Sequence, residues 1–238
     1  MLSVSASKFK FWKTMKTQLV VALSSLFILS FPEVVSADDQ ATKENTNQVV
    51  QDSKNYHSQD IRNVQSKITA GYDSFENGDQ LSLEGTYGIN DKASVSLGYS
   101  TFGSAYHSAF DYDAVTLSGQ YNLSNNIVLD GEWNVSGDYD NLTVGGNYVA
   151  DAGFGTWNVG ANYSSGDYSD GLDLEAGVLV PFGNMYYRGD FTYFLDSGND
   201  SVFENALGWT NGNIDVNASV TMYEFDDTSV GIEFGYLF

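Results

Sequence analysis

A strict alternation of apolar and small or polar residues most constrains the fold, and it is clearest at the end of the chain. Within residues 230–238, single residues such as Gly231, Glu233 and Gly235 separate the apolar positions. Side chains of a β-strand point alternately to its two faces, so this pattern predicts a strand with one apolar face. That face would carry Val230, Ile232, Phe234, Tyr236 and Phe238.

The same alternation recurs in short runs from Lys67 onward. In one run, Leu81 and Leu83 are separated by Ser82, and turn residues rich in Asn, Asp and Gly follow it. Pro181 is the only proline of this region, and no apolar residues recur at helical spacing. The runs predict an all-β, antiparallel up-and-down arrangement of twelve strands, and about ten to fourteen strands are compatible with the pattern.

The predicted connections differ on the two sides of the sheet. Residues 90–92 and 211–213 form tight turns, whereas residues 73–80, 100–113 and 136–141 form longer, acidic or aromatic loops. Short turns on one side and longer loops on the other are typical of outer-membrane barrels. An even number of strands would put both ends of the barrel on the side of the short turns, which we expect to face the periplasm.

The second face of the runs excludes a soluble β-sandwich. It carries Ser, Thr, Asn, Gly and acids, with almost no Lys, whereas a sandwich exposes a Lys- and Glu-rich face. Aromatic residues such as Tyr87 and Tyr121 lie at one end of the runs, and Tyr72 and Tyr99 lie at the other. Two aromatic belts fit two membrane interfaces. In a membrane the strands must close into a barrel, because every backbone group needs an internal partner.

These features carry two resemblances. A last strand of alternating apolar residues that ends in Phe238 resembles the C-terminal assembly signal of bacterial outer-membrane β-barrels, which implies recognition by the barrel assembly machinery. Residues 67–238 resemble the small porin-like class of Gram-negative outer membranes. That resemblance implies a channel for passive diffusion of small hydrophilic solutes, surrounded by outer-membrane lipid and lipopolysaccharide. The alternative function is that of a non-conducting surface barrel with a structural or adhesive role.

The chain departs from known subgroups of this class, which leaves the solute open. It lacks the long constriction loop of trimeric general porins. It also lacks the lumenal arginine tracks of twelve-stranded channels for acidic sugars.

The first 37 residues have the pattern of a secretory signal peptide. Four lysines, the last of them Lys16, precede an uncharged apolar run over residues 19–31, and a small-x-small end follows at Ala37. A transmembrane helix is the alternative, but it needs about 20 apolar residues and this run is shorter. We expect cleavage after Ala37 and export to the outer membrane.

Residues 38–66 are polar and show no apolar period. They cannot bury enough apolar surface to fold alone, so we expect a disordered periplasmic arm. The alternative is a plug that enters the barrel formed by residues 67–238.

The inward face of the predicted strands is acidic. Its pore-lining candidates are Glu84, Asp130, Glu132, Asp173, Glu175, Arg188, Asp190, Asp215 and Glu233. Rings of carboxylates favour cations, so we expect a cation-preferring lumen. Arg188 either pairs with a nearby acid such as Asp190 or Glu175, or acts as a selectivity element. Tyr186 is bulky enough to narrow the pore.

Charge and composition exclude several functions. The formal net charge of −21 argues against nucleic acid as a partner. Without cysteine the chain has neither a disulfide framework nor a lipoprotein anchor. Its two histidines, His57 and His107, lack the spacing to Ser that barrel lipases use, so we expect no enzyme activity. We also expect no cofactor and no defined metal site, and only a diffuse affinity of the acidic loops for divalent cations.

Overall fold

A computed structural model describes residues 56–105, 111–167, 170–195, 200–224 and 227–238 of the chain. The predicted signal peptide, residues 38–55 of the arm and His107 lie outside these residues. Among the described residues, no helix is long and apolar enough to cross a membrane.

Twelve strands account for nearly all of the described residues from Lys67 onward, as the alternation predicts. They are β1 (Lys67–Phe75), β2 (Gly78–Asn90), β3 (Ala93–Ser104), β4 (Tyr112–Ser124), β5 (Ile127–Ser136), β6 (Tyr139–Ala152), β7 (Gly155–Gly166), β8 (Gly171–Phe182), β9 (Met185–Phe194), β10 (Ser201–Thr210), β11 (Ile214–Tyr223) and β12 (Asp227–Leu237).

Each strand pairs antiparallel with its neighbours in sequence, and β1 pairs with β12 to close the barrel. In the closing register Ile68 lies opposite Tyr236, and Tyr72 lies opposite Ile232. The backbone N–H of Phe238 also donates to Ser66 O at 3.1 Å, so the two ends of the barrel meet. This closed, antiparallel all-β barrel confirms the predicted fold class, and closure leaves no sheet edge without partners.

The outer surface of the barrel is apolar. Leu81 and Leu83 are 56% and 55% exposed, while Ser82 between them faces inward and is less exposed. The five apolar residues of the terminal strand face outward as well. They are Val230, Ile232, Phe234, Tyr236 and Phe238, with exposures from 47% to 67%. An apolar exterior of this extent is unfavourable in water and fits the hydrocarbon core of a bilayer.

Aromatic side chains lie near both ends of the barrel. On the side of residues 66 and 238, called the turn side below, the rings of Tyr148 and Trp157 lie 5.9 Å apart. On the opposite side, called the loop side, the hydroxyls of Tyr72 and Tyr99 donate to carboxylates at the loop-side ends of β2 and β4. Tyr99, for example, donates to Asp113 at 2.8 Å. Each tyrosine thus keeps an apolar ring towards lipid and a polar tip towards water, as interface aromatics do.

Three loop-side connections are shorter than predicted. Instead of loops over residues 73–80, 100–113 and 136–141, residues 76–77 join β1 to β2, residues 105–111 join β3 to β4, and residues 137–138 join β5 to β6. The prediction of longer loops is wrong here because the polar residues of these stretches continue the strands. The tight turn after β5 depends on Gly137, whose φ of 60° is rarely adopted by other residues.

Replacement of Phe238 by Ala is expected to slow insertion of the barrel and leave export intact, because the assembly signal ends at this ring. Phe238 is 67% exposed and stacks on Tyr236 with ring centroids 6.3 Å apart. The measurement is the fraction of heat-modifiable, folded barrel in outer membranes. Phe154→Ala is the matched control, because Phe154 is a similarly exposed aromatic (59%) in a turn-side connection. Equal folded fractions for both variants would contradict the assembly role.

Candidate pore and its N-terminal segment

The inner wall of the barrel carries the pore-lining candidates. On β2, β5, β8, β9 and β11 they alternate with outward apolar residues, and Glu233 alternates likewise on β12. Gln120 on β4 and Arg188 on β9 bond to residues that lie inside the barrel, so the face that carries these side chains is the inner face. The structure therefore places Glu84, Asp130, Glu132, Asp173, Glu175, Arg188, Asp190, Asp215 and Glu233 on the lumenal face.

Several of these acids accept hydrogen bonds from neutral polar neighbours on the wall. Thr86 Oγ1 donates to Glu84 Oε1 at 3.0 Å, and Asn217 Nδ2 donates to Glu233 Oε1 at 3.2 Å. The side chain of Glu132 points into the lumen and is exposed there. Hydrogen bonds from neutral groups orient these carboxylates without cancelling their charge, so the wall stays acidic.

Arg188 is a base on the inner wall at mid-barrel, and two acids hold it. Its Nε lies 2.9 Å from Asp190 Oδ2, an ion pair whose angle is poor for a hydrogen bond, and its Nη2 donates to Glu204. The predicted pairing with Asp190 is thus present. The other predicted partner, Glu175, instead accepts from Asn162 Nδ2 at 2.5 Å. Glu204 is not among the predicted pore-lining residues because β10, with adjacent Glu204 and Asn205, alternates the least clearly of the twelve strands.

Residues 56–66, called the lumen segment below, lie inside the turn-side end of the barrel. Gln120 Nε2 donates to Ile61 O at 2.6 Å, and Asn122 Nδ2 donates to Arg62 O at 2.7 Å. Both donors belong to β4. On the far side of the ring, Arg188 Nη1 donates to Gln59 Oε1 at 2.7 Å. These eleven residues therefore contact the inner wall on opposite sides of the barrel.

Arg62 is the most heavily bonded residue of the lumen segment. Its guanidinium and backbone N–H both donate to Asp60, with contacts of 2.8–2.9 Å, and its Nη2 donates to Asp151 Oδ1 at 2.6 Å. The ring of Tyr56 lies 4.2 Å from the guanidinium carbon. Burial by itself lowers the pKa of Arg62, but the bonds to Asp60 and Asp151 outweigh burial and raise it. Arg62 is therefore a permanent cation that ties the segment to β6.

Asp215 and Tyr186 form a second anchor. Tyr186 Oη donates to Asp215 Oδ1 at 2.6 Å, and Ser58 Oγ donates to Asp215 as well. The ring of His57 meets Tyr186 edge-on at 4.8 Å. Burial lowers the pKa of His57 and outweighs the opposing attraction of Asp215 and Asp60, so it favours the neutral imidazole. Tyr186, expected to narrow the pore, is fully buried beneath the segment.

Gly88 permits the close approach of the lumen segment to the wall. A Cβ at Gly88 would lie 2.3 Å from Val64 O, a distance that real structures do not allow. The backbone N–H of Gly88 donates to Ser66 Oγ at 3.0 Å, and Val64 is only 5% exposed. Only glycine fits at this position while the segment keeps its place.

Cavities lined by described residues lie along the inside of the barrel. One of about 300 Å³ has Ile61 of the lumen segment on one side and Asp130 and Glu175 on its wall. One of about 680 Å³ lies at the turn side next to Arg62, and one of about 900 Å³ lies at the loop side next to Asn134. Ile61 and Arg62 thus line the cavities on the two sides of the segment.

Among the residues that the structure describes, no group of three or more His, Cys, Asp or Glu side chains is placed to hold a metal ion. His57 lies in the lumen segment, where its Nδ1 accepts from the backbone N–H of Gln59 at 3.2 Å.

Comparison with known proteins shows likeness in structure. No protein-family model and no curated protein matches the sequence. The fold is similar to that of the KdgM porin, with a TM-score of 0.59 and 11% identity over 72% of this chain and 99% of that chain. A structure of the same porin in complex with disordered oligogalacturonate gives the same values. The outer membrane protein Omp33 of Acinetobacter baumannii follows with a TM-score of 0.54 and 10% identity, covering 74% and 98% of the two chains.

The closed barrel, its apolar exterior and these likenesses together define the class of the protein. Strands that expose apolar side chains on the outside and satisfy every backbone group through closure belong in a bilayer. The chain is a bacterial outer-membrane β-barrel with a porin-like fold.

Proposed function

We propose that the protein is a channel for passive diffusion of small hydrophilic solutes across the outer membrane, with a preference for cations. The observation that carries this proposal is the acidic inner wall. Carboxylates from β2, β5, β8, β9, β10, β11 and β12 face the lumen, whereas the barrel region of the sequence contains only Lys67, Lys92 and Arg188 as Lys or Arg residues. Arg188 is already paired with acids, and Lys92 lies in a turn. A lumen of this charge attracts cations and repels anions.

The acidic wall also bears on the class of solute. The KdgM porin has been seen with oligogalacturonate, which is a polyanion. Here the mid-barrel base Arg188 is held by Asp190 and Glu204, so an acidic sugar would meet carboxylates and not free guanidinium groups. We therefore propose neutral or cationic solutes for this channel.

The surroundings proposed for the barrel follow from its surface. Lipid would cover the apolar band, and the assembly machinery would read the last strand. Lipopolysaccharide phosphates would face exposed loop-side acids such as Glu76 and Asp79. Divalent cations would have to lie between the two sets of negative charges, because like charges repel and hard cations bind oxygen ligands.

A non-conducting surface barrel is the second candidate function. The lumen segment favours it, because residues 56–66 occupy the turn-side end of the barrel. Conductance of the purified full chain in planar bilayers separates the two functions. We expect discrete conductance steps. In a salt gradient, the sign of the reversal potential should be that of a cation-selective channel. A chain that inserts as a heat-modifiable barrel but never conducts, even after removal of the lumen segment, would support the non-conducting barrel.

A further inference from the structure

The barrel wall is complete without the lumen segment. Every strand has two antiparallel neighbours, and β1 with β12 supplies the closing pair. Ser66 O accepts a hydrogen bond from Phe238 N, next to the end of β12. Residues 56–64 are therefore not needed to satisfy the backbone of the wall, and their departure would leave the barrel closed on itself.

The segment is held across the lumen by contacts on opposite sides of the ring. Gln120 and Asn122 on β4 bind its backbone, while Arg188 on β9 and Asp215 on β11 bind its side chains. In a ring of twelve strands, β4 and β10 are diametrically opposite. A chain bonded to opposite sides of the ring lies across the passage between the loop side and the turn side.

The contacts that hold the segment are polar and can be exchanged for water. Val64 is a buried apolar residue of the segment, and the other anchors are hydrogen bonds, the edge-on contact of His57 with Tyr186 and the ion pair of Arg62 with Asp151. The side chain of Arg62 is 3% exposed but that of Asp151 is 70% exposed, so salt partly screens this pair. Polar contacts inside a hydrated lumen contribute little net free energy, because water replaces them when they break.

We propose that the lumen segment is a displaceable gate, so that the channel is closed while residues 56–64 bridge β4 to β9 and β11 and open when they leave. This inference rests on the proposed channel function and adds its regulation. The closed state is the one seen in the structure. High ionic strength shifts the chain towards the open state by weakening the pair of Arg62 with Asp151.

The test cross-links the lumen segment to the barrel wall in the full chain. Ser58→Cys and Asp215→Cys are introduced together, since these side chains are in contact and the chain has no other cysteine. Bilayer conductance is recorded after oxidation or after reaction with a short bifunctional thiol reagent, and again after reduction. We expect a severalfold loss of open-state conductance on cross-linking and its recovery on reduction. Unchanged conductance in the cross-linked chain would overturn the gate.

A matched cross-link controls for the chemistry. Thr86→Cys with Ser96→Cys joins two neighbouring wall residues whose hydroxyls lie 2.9 Å apart and leaves the segment free. Cross-linking this pair is expected to leave conductance unchanged. An equal loss in both cross-linked chains would show that any lumenal bridge blocks the pore, and would overturn the assignment to residues 56–64.

Two further variants release the segment without cross-links. Gly88→Ala places a Cβ against Val64 O and should raise the open fraction, whereas Gly85→Ala on the same strand meets no atom within 4 Å and should not. Deletion of residues 38–64 keeps Ser66 and should give a permanently open pore. If the deleted chain forms a folded barrel without conductance, the proposed channel function fails. If it conducts no better than the full chain, only the gate fails.

Discussion

Neutralising Asp130 and Glu132 together is expected to lower the cation preference of the pore severalfold without abolishing conductance. Both carboxylates face the lumen from β5, and Glu132 is exposed there. In a narrow tube with low-dielectric walls, fixed charges act over the whole width of the passage, so removing two of them weakens the attraction for cations. Reversal potentials of Asp130→Asn with Glu132→Gln in a salt gradient measure the change.

Ionic strength and a matched variant separate this effect from general charge loss. The Debye length is about 10 Å at 0.1 M salt, so the preference of the unaltered chain should fade as salt rises. Glu76→Gln with Asp91→Asn also removes two negative charges, but from exposed turns, and should leave the reversal potential nearly unchanged. A pore selective for anions, or one that responds equally to both pairs, would show that the β5 acids do not set selectivity.

Replacement of Arg188 by Met is expected to destabilise the barrel and to increase its cation preference. Arg188 is 25% exposed and lies between Asp190 and Glu204. Without it these carboxylates repel each other in a partly buried site, and leaving such polar groups unpaired costs about 1–3 kcal/mol. Because Gln59 also loses its donor, the lumen segment loses its contact with β9. Thermal unfolding in detergent and reversal potentials give the two readouts.

The matched control for this variant removes a base that does not face the lumen. Lys92→Met changes the net charge equally, but Lys92 lies in the exposed turn between β2 and β3. It should alter neither the unfolding temperature nor the selectivity. If Arg188→Met unfolds at the temperature of the unaltered chain, the three-residue ion-pair cluster contributes nothing to stability.

Much of the barrel was predictable because successive side chains of a strand point to opposite faces, with a period of two residues. Alternation with a spacing of two located all twelve strands and assigned each residue to the inner or outer face. The same rule would have found Glu204, which shares the parity of inward Ala206 and Gly208, had the run of β10 been stronger. Its errors fell at the strand ends on the loop side, where β1 to β6 continue into stretches rich in polar residues and the alternation is no longer clear.

The sequence by itself determined that the chain forms a closed barrel with an apolar exterior and an acidic interior, because local alternation and composition are sufficient for both. Only the tertiary structure decided what occupies the lumen. Residues 56–66 carry no apolar period, and their partners are distant in the chain: Ser58 and Asp215 are 157 positions apart, and Arg62 and Asp151 are 89 apart. Hydrogen bonds between such residues exist only after the barrel has closed, because closure brings β4, β9 and β11 around one cavity.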